Sequence, residues 1–390
     1  MIPYGKHHID NEDIEAVVSV LKSGQITQGP KIEEFESEIA KYVGAKYAVA
    51  VSSGTAALHL AGAVSNLGPN NALITSPITF VASANAAFYN RSQVIFADID
   101  LKSINISADS LKTAVKSNPK IKVVMPIHFA GLPCEMEAIK NISDKNNLTI
   151  VEDAAHALGA TYDNGEKVGS CCYSDMTIFS FHPVKSIAAG EGGMITTNDE
   201  KIYRKLIRLR SHGINKLDDP YELKEQSNTN KINNPWYYEV QELGFHYRIN
   251  DIQCALALSQ LKKIDKFISK RMTIVKKYDD EFSTMKNIKP FQNLGRKLSS
   301  HHLYVVNIDF NSIGKSRAEL MHELRDKDII CQVHYIPLPM HPYFRNLGFI
   351  PEEYPNSLNY YNNCLSIPLF YDLTDIQQDY VIEIFKELVG

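Results

Sequence analysis

The sequence lacks the signals that mark several large classes of protein. No run of about 18 apolar residues occurs along its 390 residues, so we expect no membrane-spanning helix and no membrane partner. Residues 1–8 (MIPYGKHH) contain no apolar signal core, and we expect a cytoplasmic protein. The 41 basic and 45 acidic residues give a formal net charge of −4. That balance does not favour a nucleic-acid surface, and we expect no nucleic-acid partner.

Motifs for metal and nucleotide chemistry are also absent. The six cysteines form no CxxC pair and no zinc-ligand spacing, which is typical of free thiols in a reducing compartment. The 13 histidines include no HExxH motif, so we predict no metal site. We expect the adjacent pairs His7-His8 and His301-His302 at the surface or facing a substrate. The absence of GxxxxGK[ST] and GxGxxG motifs argues against a kinase and a dehydrogenase.

Helical and strand patterns alternate from residue 31 to about residue 200. Helices are predicted at 31–43, 54–64, 81–89 and 135–144, and short apolar strands at 47–51, 72–75, 94–97, 123–127, 148–151 and 176–179. Such alternation predicts an α/β fold, in which a mostly parallel sheet is covered by helices on both faces. In sheets of this kind, ligands bind at the carboxyl ends of the strands.

A different pattern begins after about residue 250. It predicts a long helix at 252–278, a strand at 304–308, a helix at 317–325, a strand at 329–334 and a last helix at 374–388. We therefore predict a large domain over residues 13–250 and a small α+β domain over residues 251–390. Residues 1–12 are expected to form an N-terminal arm near the active site. The polar segment 218–235 is predicted to be a mobile loop.

The segment Ser52-Ser53-Gly54-Thr55 lies where a predicted strand ends and a helix begins. Small hydroxyl residues and a glycine at a helix N-terminus leave backbone N–H groups free at the positive end of the helix dipole. These are the features of a phosphate site. An ordinary N-cap would use the same residues. Ser180 ends a later predicted strand and could reach the same phosphate.

Three further residues near strand ends can carry chemistry. Asp153 could keep the ring nitrogen of a bound pyridine protonated, because an opposite charge favours the cation; it could instead cap a helix. Lys185 follows an aromatic, proline-containing stretch. A lysine in a dry site can lose its proton and attack a carbonyl, although most lysines are solvated at the surface. Phe80 could stack on a ring or belong to the core.

Taken in order, these motifs resemble the DegT–DnrJ–StrS family of nucleotide-sugar aminotransferases. The matching segments cover nearly the whole chain and are SSGTAALHL (52–60), ITFVASANA (78–86), EDAAHALGA (152–160), IFSFHPVKSIAAGEGG (178–193), LRSHGI (209–214), ELGFHYRINDIQCALALSQLKKI (242–264) and CQVHYIPL (331–338). The resemblance implies the fold-type-I, aspartate-aminotransferase-like architecture. That architecture has a large domain built on a mixed, mostly parallel sheet and a small α+β C-terminal domain. It also implies a homodimer with composite active sites.

The resemblance further implies roles for individual residues. Lys185 would bind pyridoxal 5′-phosphate as a Schiff base and move protons, Asp153 would pair with the pyridine nitrogen, and Phe80 would stack on the ring. His156 would lie near the phenolic oxygen. The phosphate would be held by Ser53, Gly54, Thr55 and Ser180, and by His246 of a partner subunit. The sugar-nucleotide site would be lined by Tyr4, Gly24, Gln25, Ile26, Thr27, Gln332, Val333, His334 and Tyr335.

Four segments are similar to one branch of that family, namely FSFHPVK (179–185), RSHGI (210–214), HHLY (301–304) and QVHY (332–335). Members of this branch use L-glutamate to aminate a UDP-4-keto-6-deoxy-N-acetylhexosamine at C4. The product, UDP-4-amino-4,6-dideoxy-N-acetyl-β-L-altrosamine, leads to pseudaminic acid. This chain departs from the branch at His246, where members carry Asn, and at Gly54, where they often carry Ala.

Two alternative functions stay open. One is an aminotransferase that acts on another keto-sugar nucleotide. The other is a sugar-nucleotide-binding homologue that has lost catalysis. Dehydratases of the family, which hold the cofactor without a covalent bond, replace the lysine with His. Lys185 is intact in this chain, which argues against such a loss.

Overall fold

The computed structural model describes residues 1–216 and 219–390. Its helices are α1 (Asn11–Ser23), α2 (Pro30–Val43), α3 (Gly54–Val64), α4 (Ala82–Tyr89), α5 (Ala108–Ser117), α6 (Met136–Asn146), α7 (Glu200–Arg210), α8 (Lys224–Ser227), α9 (Asp251–Leu261), α10 (Ile264–Phe282), α11 (Arg317–Asp326), α12 (Pro342–Asn346), α13 (Pro355–Asn363) and α14 (Asp375–Val389). Its strands are β1 (Tyr47–Val51), β2 (Ala72–Thr75), β3 (Gln93–Phe96), β4 (Ile121–Met125), β5 (Thr149–Asp153), β6 (Met176–Ser180), β7 (Gly193–Thr197), β8 (Ile214–Asn215), β9 (Asn228–Thr229), β10 (Ile232–Asn233), β11 (Glu239–Val240), β12 (Ile288–Pro290), β13 (Tyr304–Ile308) and β14 (Cys364–Ile367).

The large sheet has seven strands in the order β1-β7-β6-β5-β4-β2-β3. β7 runs antiparallel to both of its neighbours, and the other neighbouring pairs are parallel. Helices cover both faces through two apolar cores. The α/β class is confirmed, and the helices and strands predicted between residues 31 and 180 are confirmed to within two residues. Four further elements, α1, α5, β7 and α7, were not predicted from the sequence.

α2 shows why these residues form a helix. Pro30 occupies its first turn, where a missing N–H costs nothing. Its apolar side chains at Ile32, Phe35 and Ile39 recur at helical spacing and are buried against the large sheet. Burial of each stabilises the fold by roughly 1.5–3 kcal/mol. The helix ends at Gly44, whose φ of 81° is the left-handed conformation that glycine adopts freely.

The small C-terminal sheet is antiparallel, in the order β12-β13-β14. α10, α11 and α14 pack against it around a core of their own. The predicted single helix at 252–278 is wrong, because the chain breaks it between α9 and α10. Leu258 of α9 packs in the core of the large sheet, whereas Ile274 of α10 packs in the small core. The break lies just before α10, where Lys263 has φ −106° and ψ −2°, away from ideal α-helical values. α10 itself begins in the core of the large sheet at Ile264 and continues into the small core.

The predicted strand at 329–334 is also wrong. This segment forms only isolated bridges, which pair Ile2 with Ile329 and Gln332 with Ser366. A continuous ladder cannot follow, because the chain turns at His334 towards a cavity and Pro337 has no N–H to donate. The bridge to Ile2 ties the N-terminal arm to the small domain. His8 Nδ1, 2.7 Å from Asp372 Oδ1, extends that contact.

The segment predicted as a mobile loop contains local structure. Within residues 219–235, α8 is followed by the hairpin of β9 and β10. Asp218, the first residue of that prediction, lies outside the described residues. Among the described helices, none combines the length and the apolar composition that crossing a membrane requires.

Candidate active site

A cavity of about 450 Å³ opens at the carboxyl ends of β1, β5 and β6. These three strands run in the same direction, so their ends meet at one edge of the sheet, where α/β proteins bind ligands. The small domain closes the other side. The cavity brings together the predicted residues Tyr4, Ser53, Gly54, Thr55, Phe80, Asp153, His156, Ser180, Lys185, His334 and Tyr335.

Other predicted residues do not line this cavity. They are Gly24, Gln25, Ile26, Thr27, Gln332, Val333 and His246. Gln25, Ile26 and Thr27 are exposed after the end of α1. His246 is exposed as well, and its ring centroid lies 5.2 Å from that of His212. Gln332 is exposed too, whereas Val333 is half-buried and packs against the apolar cluster that contains Phe129 and Tyr360.

The end of the cavity at α3 has the geometry of an anion site. Ser53 caps the helix, and its Oγ accepts a hydrogen bond of 3.1 Å from the N–H of Ala56. The N–H groups of Gly54 and Thr55 lie in the first turn and have no partner within the helix. A Cβ on Gly54 would lie 2.9 Å from Cβ of Ser180. Glycine therefore allows the Ser180 hydroxyl to approach the positive end of the helix.

Asp153 ends β5 and is buried, with 5% of its surface exposed. Its carboxylate accepts a hydrogen bond of 2.6 Å from Ser83 Oγ and one of 3.1 Å from the N–H of Ala155. Burial raises the pKa of Asp153, and these two bonds and the charge of Lys185 partly offset that rise. A carboxylate has about four acceptor positions, so Asp153 can still accept from a ligand N–H.

Ser83 is a cavity residue that sequence reasoning missed. It lies three residues after Phe80, and its hydroxyl also contacts Thr79 Oγ1 at 2.8 Å. Its position one helical turn after a candidate stacking residue is the signal that could have found it. Its bond holds the Asp153 carboxylate in one orientation.

Lys185 lies in the turn that follows β6, where its N–H donates to the carbonyl of His182 at 2.8 Å. Burial of the amine lowers the pKa of Lys185 to about 8, although the negative charge of Asp153 opposes the change. A substantial fraction of the amine is therefore neutral near neutral pH. A neutral amine is the nucleophilic form that attacks a carbonyl carbon.

His156 and Tyr335 form a hydrogen-bonded pair on the cavity wall, with 3.3 Å between Nε2 and the hydroxyl oxygen. The other ring nitrogen, Nδ1, accepts from the N–H of Ala130 at 3.3 Å. Burial holds the pKa of His156 well below its usual range, so the ring is neutral and its proton lies on Nε2. His156 thus donates to the Tyr335 oxygen, which leaves the Tyr335 O–H free to donate into the cavity.

The predicted histidine pairs differ in their surroundings. His301 and His302 are both buried, so a surface position is wrong for this pair. His302 lines the cavity, and its ring centroid lies 4.3 Å from that of His156. His7 is exposed and His8 is half-buried. The packing of the small domain against residues 128–134 encloses the 301–302 pair, and no local pattern reveals that contact.

The arrangement fits pyridoxal phosphate. A phosphate would be held by the helix end at Gly54 and by Ser180, a ring nitrogen by Asp153, and an aldehyde carbon by the amine of Lys185. Phe80 leaves 59% of its surface exposed, so a ring face is free for stacking. Three groups of different chemistry, for an anion, a ring cation and a carbonyl, therefore line one cavity.

Known proteins are similar to this chain over nearly its whole length. The sequence profile of the DegT/DnrJ/EryC1/StrS aminotransferase family matches residues 7–386. The spore coat polysaccharide biosynthesis protein SpsC of Bacillus subtilis is 39% identical over 100% of this chain and 97% of its own length. A UDP-4-amino-4,6-dideoxy-N-acetyl-β-L-altrosamine transaminase of Campylobacter jejuni is 37% identical over 94% of this chain and 92% of its own length.

Solved structures are similar over the whole chain. Helicobacter pylori PseC, an aminotransferase involved in the biosynthesis of pseudaminic acid, superposes with a TM-score of 0.89 and 29% identity, covering 100% of this chain and 99% of that one. The pyridoxal-phosphate form of the putative sugar aminotransferase Spr1654 of Streptococcus pneumoniae gives a TM-score of 0.89 and 30% identity, covering 100% and 98%. The chain therefore belongs to the DegT/DnrJ/EryC1/StrS family and is a pyridoxal-phosphate-dependent sugar aminotransferase.

Proposed function

We propose that the enzyme transfers the amino group of L-glutamate to C4 of a UDP-4-keto-6-deoxy-N-acetylhexosamine. The product would be UDP-4-amino-4,6-dideoxy-N-acetyl-β-L-altrosamine, and the reaction would supply pseudaminic acid synthesis in the cytoplasm. One observation carries the chemistry: the low-pKa amine of Lys185 shares a cavity with Asp153 and the helix end at Gly54. The choice of sugar is supported by the Campylobacter and Helicobacter relatives.

Pyridoxal phosphate, when bound, supplies a carbonyl carbon and an electron-withdrawing ring for the amino transfer. We assign the proton movements to Lys185, whose Nζ would take the proton from the donor carbon and later return one to the sugar carbon. Asp153 would keep a proton on the ring nitrogen, because its negative charge favours the cation. Phe80 would stack on the ring, and Ser53, Gly54, Thr55 and Ser180 would bind the phosphate.

The Tyr335 hydroxyl is suited to orient an oxygen of the cofactor or the substrate. Its oxygen accepts from His156, so its own proton points away from that ring and towards the cavity. We also assign the sugar nucleotide to Tyr4 and His334, which line the same wall. The exposed residues 24–27, together with Gln332 and Val333, would extend this site outward from the cavity.

We propose that the active unit is a homodimer in which His246 reaches the phosphate of the partner's site. His246 is exposed and does not line the cavity of its own chain. The exposed apolar side chains of Leu243 and Trp236 lie nearby in sequence, and exposed apolar residues of this kind favour a protein interface. A neutral or charged imidazole can donate a hydrogen bond to a phosphate oxygen.

Mixed dimers test this arrangement. One protomer carries Lys185→Ala and its partner carries His246→Ala. If His246 serves the partner's site, one of the two sites keeps both residues intact. The mixed dimer should then show about half of the wild-type turnover, although each parent homodimer is impaired. If the mixed dimer gains nothing over the His246→Ala homodimer, His246 acts within its own chain or not at all.

The substrate assignment is tested by product analysis. We expect purified enzyme, pyridoxal phosphate and L-glutamate to convert the UDP-4-keto-6-deoxy-N-acetylhexosamine to a product with an amine at C4, identified by NMR. A panel of other UDP- and dTDP-linked 3-keto and 4-keto sugars serves as the control. Faster turnover of another panel member would replace the proposed sugar.

The same panel tests a second candidate function. SpsC, a spore coat polysaccharide biosynthesis protein, is 39% identical to this chain. This relative favours an aminotransferase for another keto-sugar nucleotide as the second candidate. An inert binding homologue is the third candidate. It predicts no change in the cofactor's visible absorption when glutamate is added, whereas an active enzyme predicts loss of that band.

A further inference from the structure

A buried hydrogen-bond network lies next to the cavity and is centred on Glu152. The Glu152 side chain has 0% of its surface exposed. Its Oε2 accepts from His128 Nε2 at 2.7 Å and from the Tyr162 hydroxyl at 2.6 Å. Its Oε1 accepts from Ser174 Oγ at 2.5 Å and from Thr177 Oγ1 at 2.9 Å. Four donors therefore occupy the acceptor positions of one buried carboxylate.

These contacts determine whether the Glu152 carboxylate is ionised. Burial alone would raise the pKa of Glu152, but the hydrogen bonds, that from His128 foremost, together lower it. Glu152 is thus ionised. An ionised carboxylate in the interior is costly unless it is fully hydrogen-bonded, so this network depends on every donor. Nothing in the proposed chemistry uses Glu152 directly, because the residue does not line the cavity.

His128 links Glu152 to the backbone of the site. Its Nδ1 accepts from the N–H of Cys134 at 3.0 Å, so the ring proton lies on Nε2 and points at Glu152. The N–H of His128 donates to the carbonyl of Asp153 at 3.1 Å, and the N–H of Asp153 donates to Pro126 at 2.9 Å. The His128 side chain therefore ties the segment after β4 to Glu152, and the His128 backbone pairs with the backbone of Asp153, whose side chain we assign to the cofactor.

The same segment, residues 128–134, determines which ring nitrogen of His156 carries the proton. The N–H of Ala130 donates to His156 Nδ1 at 3.3 Å and thereby keeps the proton on Nε2, where it faces Tyr335. Ala130 has a φ of 55°, in the left-handed region. A Cβ on the next residue, Gly131, would lie 3.1 Å from the His156 carbonyl oxygen. The segment is thus packed directly on His156.

We propose that Glu152 is a positioning residue, which acts through His128 on segment 128–134 to hold Asp153 and to keep His156 in the Nε2–H form. This inference rests on the proposed roles of Asp153 and His156 in the amino transfer. It assigns a function to a carboxylate that does not touch the cavity.

Replacement of Glu152 by Gln would change the hydrogen bonds of His128, and through them the segment 128–134. The amide offers one oxygen and one NH₂ group where four donors need acceptors. If the NH₂ group faces His128, the His128 proton must move to Nδ1, where it meets the N–H of Cys134. If it faces the other side, it meets the hydroxyls of Ser174 and Thr177. The first arrangement sets donor against donor at His128 and leaves buried groups unpaired. In the second, the hydroxyls of Ser174 and Thr177 can accept from the NH₂ group, but His128 and Tyr162 then share a neutral amide oxygen, which binds them more weakly than a carboxylate does.

The experiment compares Glu152→Gln with Glu36→Gln in the holoenzyme. Glu36 is a matched control, because it is also buried and hydrogen-bonded, to the N–H of Ala50 and to Arg210, but lies on α2 outside the cavity. Three quantities are measured: the melting temperature, the ¹⁵N chemical shifts of the His156 ring, and the rate of the half-reaction with L-glutamate. The His156 signals are assigned by comparison with His156→Asn.

We expect both variants to melt at lower temperatures than the wild type. In Glu152→Gln alone, the His156 ring signals should change from the Nε2–H pattern to a mixture. Its half-reaction rate at saturating glutamate should fall about tenfold or more, because misplacement of a reacting group by about 1 Å costs up to 100-fold. The glutamate concentration at half-maximal rate should change less than threefold.

His128→Gln provides a second variant in case Glu152→Gln does not fold. Its amide can still donate to Glu152, but it cannot accept from the N–H of Cys134 in the same way, and the same His156 change is expected. Wild-type His156 signals and rates in a folded Glu152→Gln or His128→Gln variant would overturn the proposal. The ring signals do not depend on turnover. An inactive wild type with these His156 changes in the variants would therefore contradict the proposed function and not this inference.

Discussion

Lys185 should react with an acylating reagent at neutral pH far more readily than an ordinary lysine. Burial lowers its pKa to about 8, against about 10.4 for a solvated lysine. At pH 7, about one Lys185 amine in ten would be neutral, compared with roughly one in 2,500 for an ordinary lysine. The expected advantage in neutral amine is thus about 250-fold. It applies to the cofactor-free enzyme, in which the amine is unmodified.

Competitive labelling measures this pKa. The cofactor-free enzyme is treated with a trace of acetic anhydride between pH 6 and pH 11, and mass spectrometry follows acetylation of the Lys185 peptide, with the other lysines as references. The reactivity of Lys185 should rise to a midpoint near pH 8. In Asp153→Asn the midpoint should move lower, because loss of the negative charge removes the attraction that stabilises the ammonium form.

Asp175→Asn is the matched control, because Asp175 lies at the other end of β6 and bonds to the N–H of Ile150. It should leave the Lys185 midpoint where the wild type has it. A midpoint near pH 10.4 in the wild type would mean that the amine is hydrated. An equal shift in Asp153→Asn and Asp175→Asn would mean that the effect does not come from the site. Either result would refute the electrostatic reasoning.

Three further substitutions have defined outcomes. Lys185→Ala should abolish transamination in a steady-state assay and leave the circular dichroism spectrum unchanged, because lysine adds little to core packing. Asp153→Asn should lower turnover by orders of magnitude and cofactor affinity by less, measured by kinetics and by equilibrium dialysis; equal turnover would make Asp153 a structural carboxylate. Gly193→Ala should weaken cofactor binding in the same dialysis assay, because a Cβ there would lie 2.3 Å from the Ser53 carbonyl oxygen and would displace the phosphate turn.

The parts of the site that follow from local chemistry could be predicted from the sequence. Gly54 stands between a strand and a helix, Asp153 ends a strand, and Lys185 follows one. Parallel strands bring their carboxyl ends to one edge, so the sequence order of these residues already places them together. The apolar strands and the amphipathic helices around them are equally local features.

The parts that depend on contacts between distant segments could not be predicted. The bond between His156 and Tyr335 joins residues 179 positions apart, and the tautomer of His156 depends on the N–H of Ala130. The break between α9 and α10 interrupts a stretch whose local pattern favours one helix, and α10 then runs from the core of the large sheet at Ile264 to the small core at Ile274. The domain boundary at residue 250 stays a prediction, and α9 shares the core of the large sheet.

The dimer stays a prediction for a related reason. An exposed histidine such as His246 has the same appearance in a monomer and in a dimer until the partner is present. His246 stands where members of the similar branch carry Asn, and it does not line the cavity of its own chain. The mixed dimers described above decide this point without any assumption about the sugar.

The central claim, that Lys185 binds the cofactor, is tested most directly by borohydride reduction of the holoenzyme followed by peptide mapping. The reduction should abolish the visible absorption band and fix the phosphopyridoxyl group to the peptide that contains Lys185. Recovery of that group on another lysine, or on no peptide at all, would contradict the account.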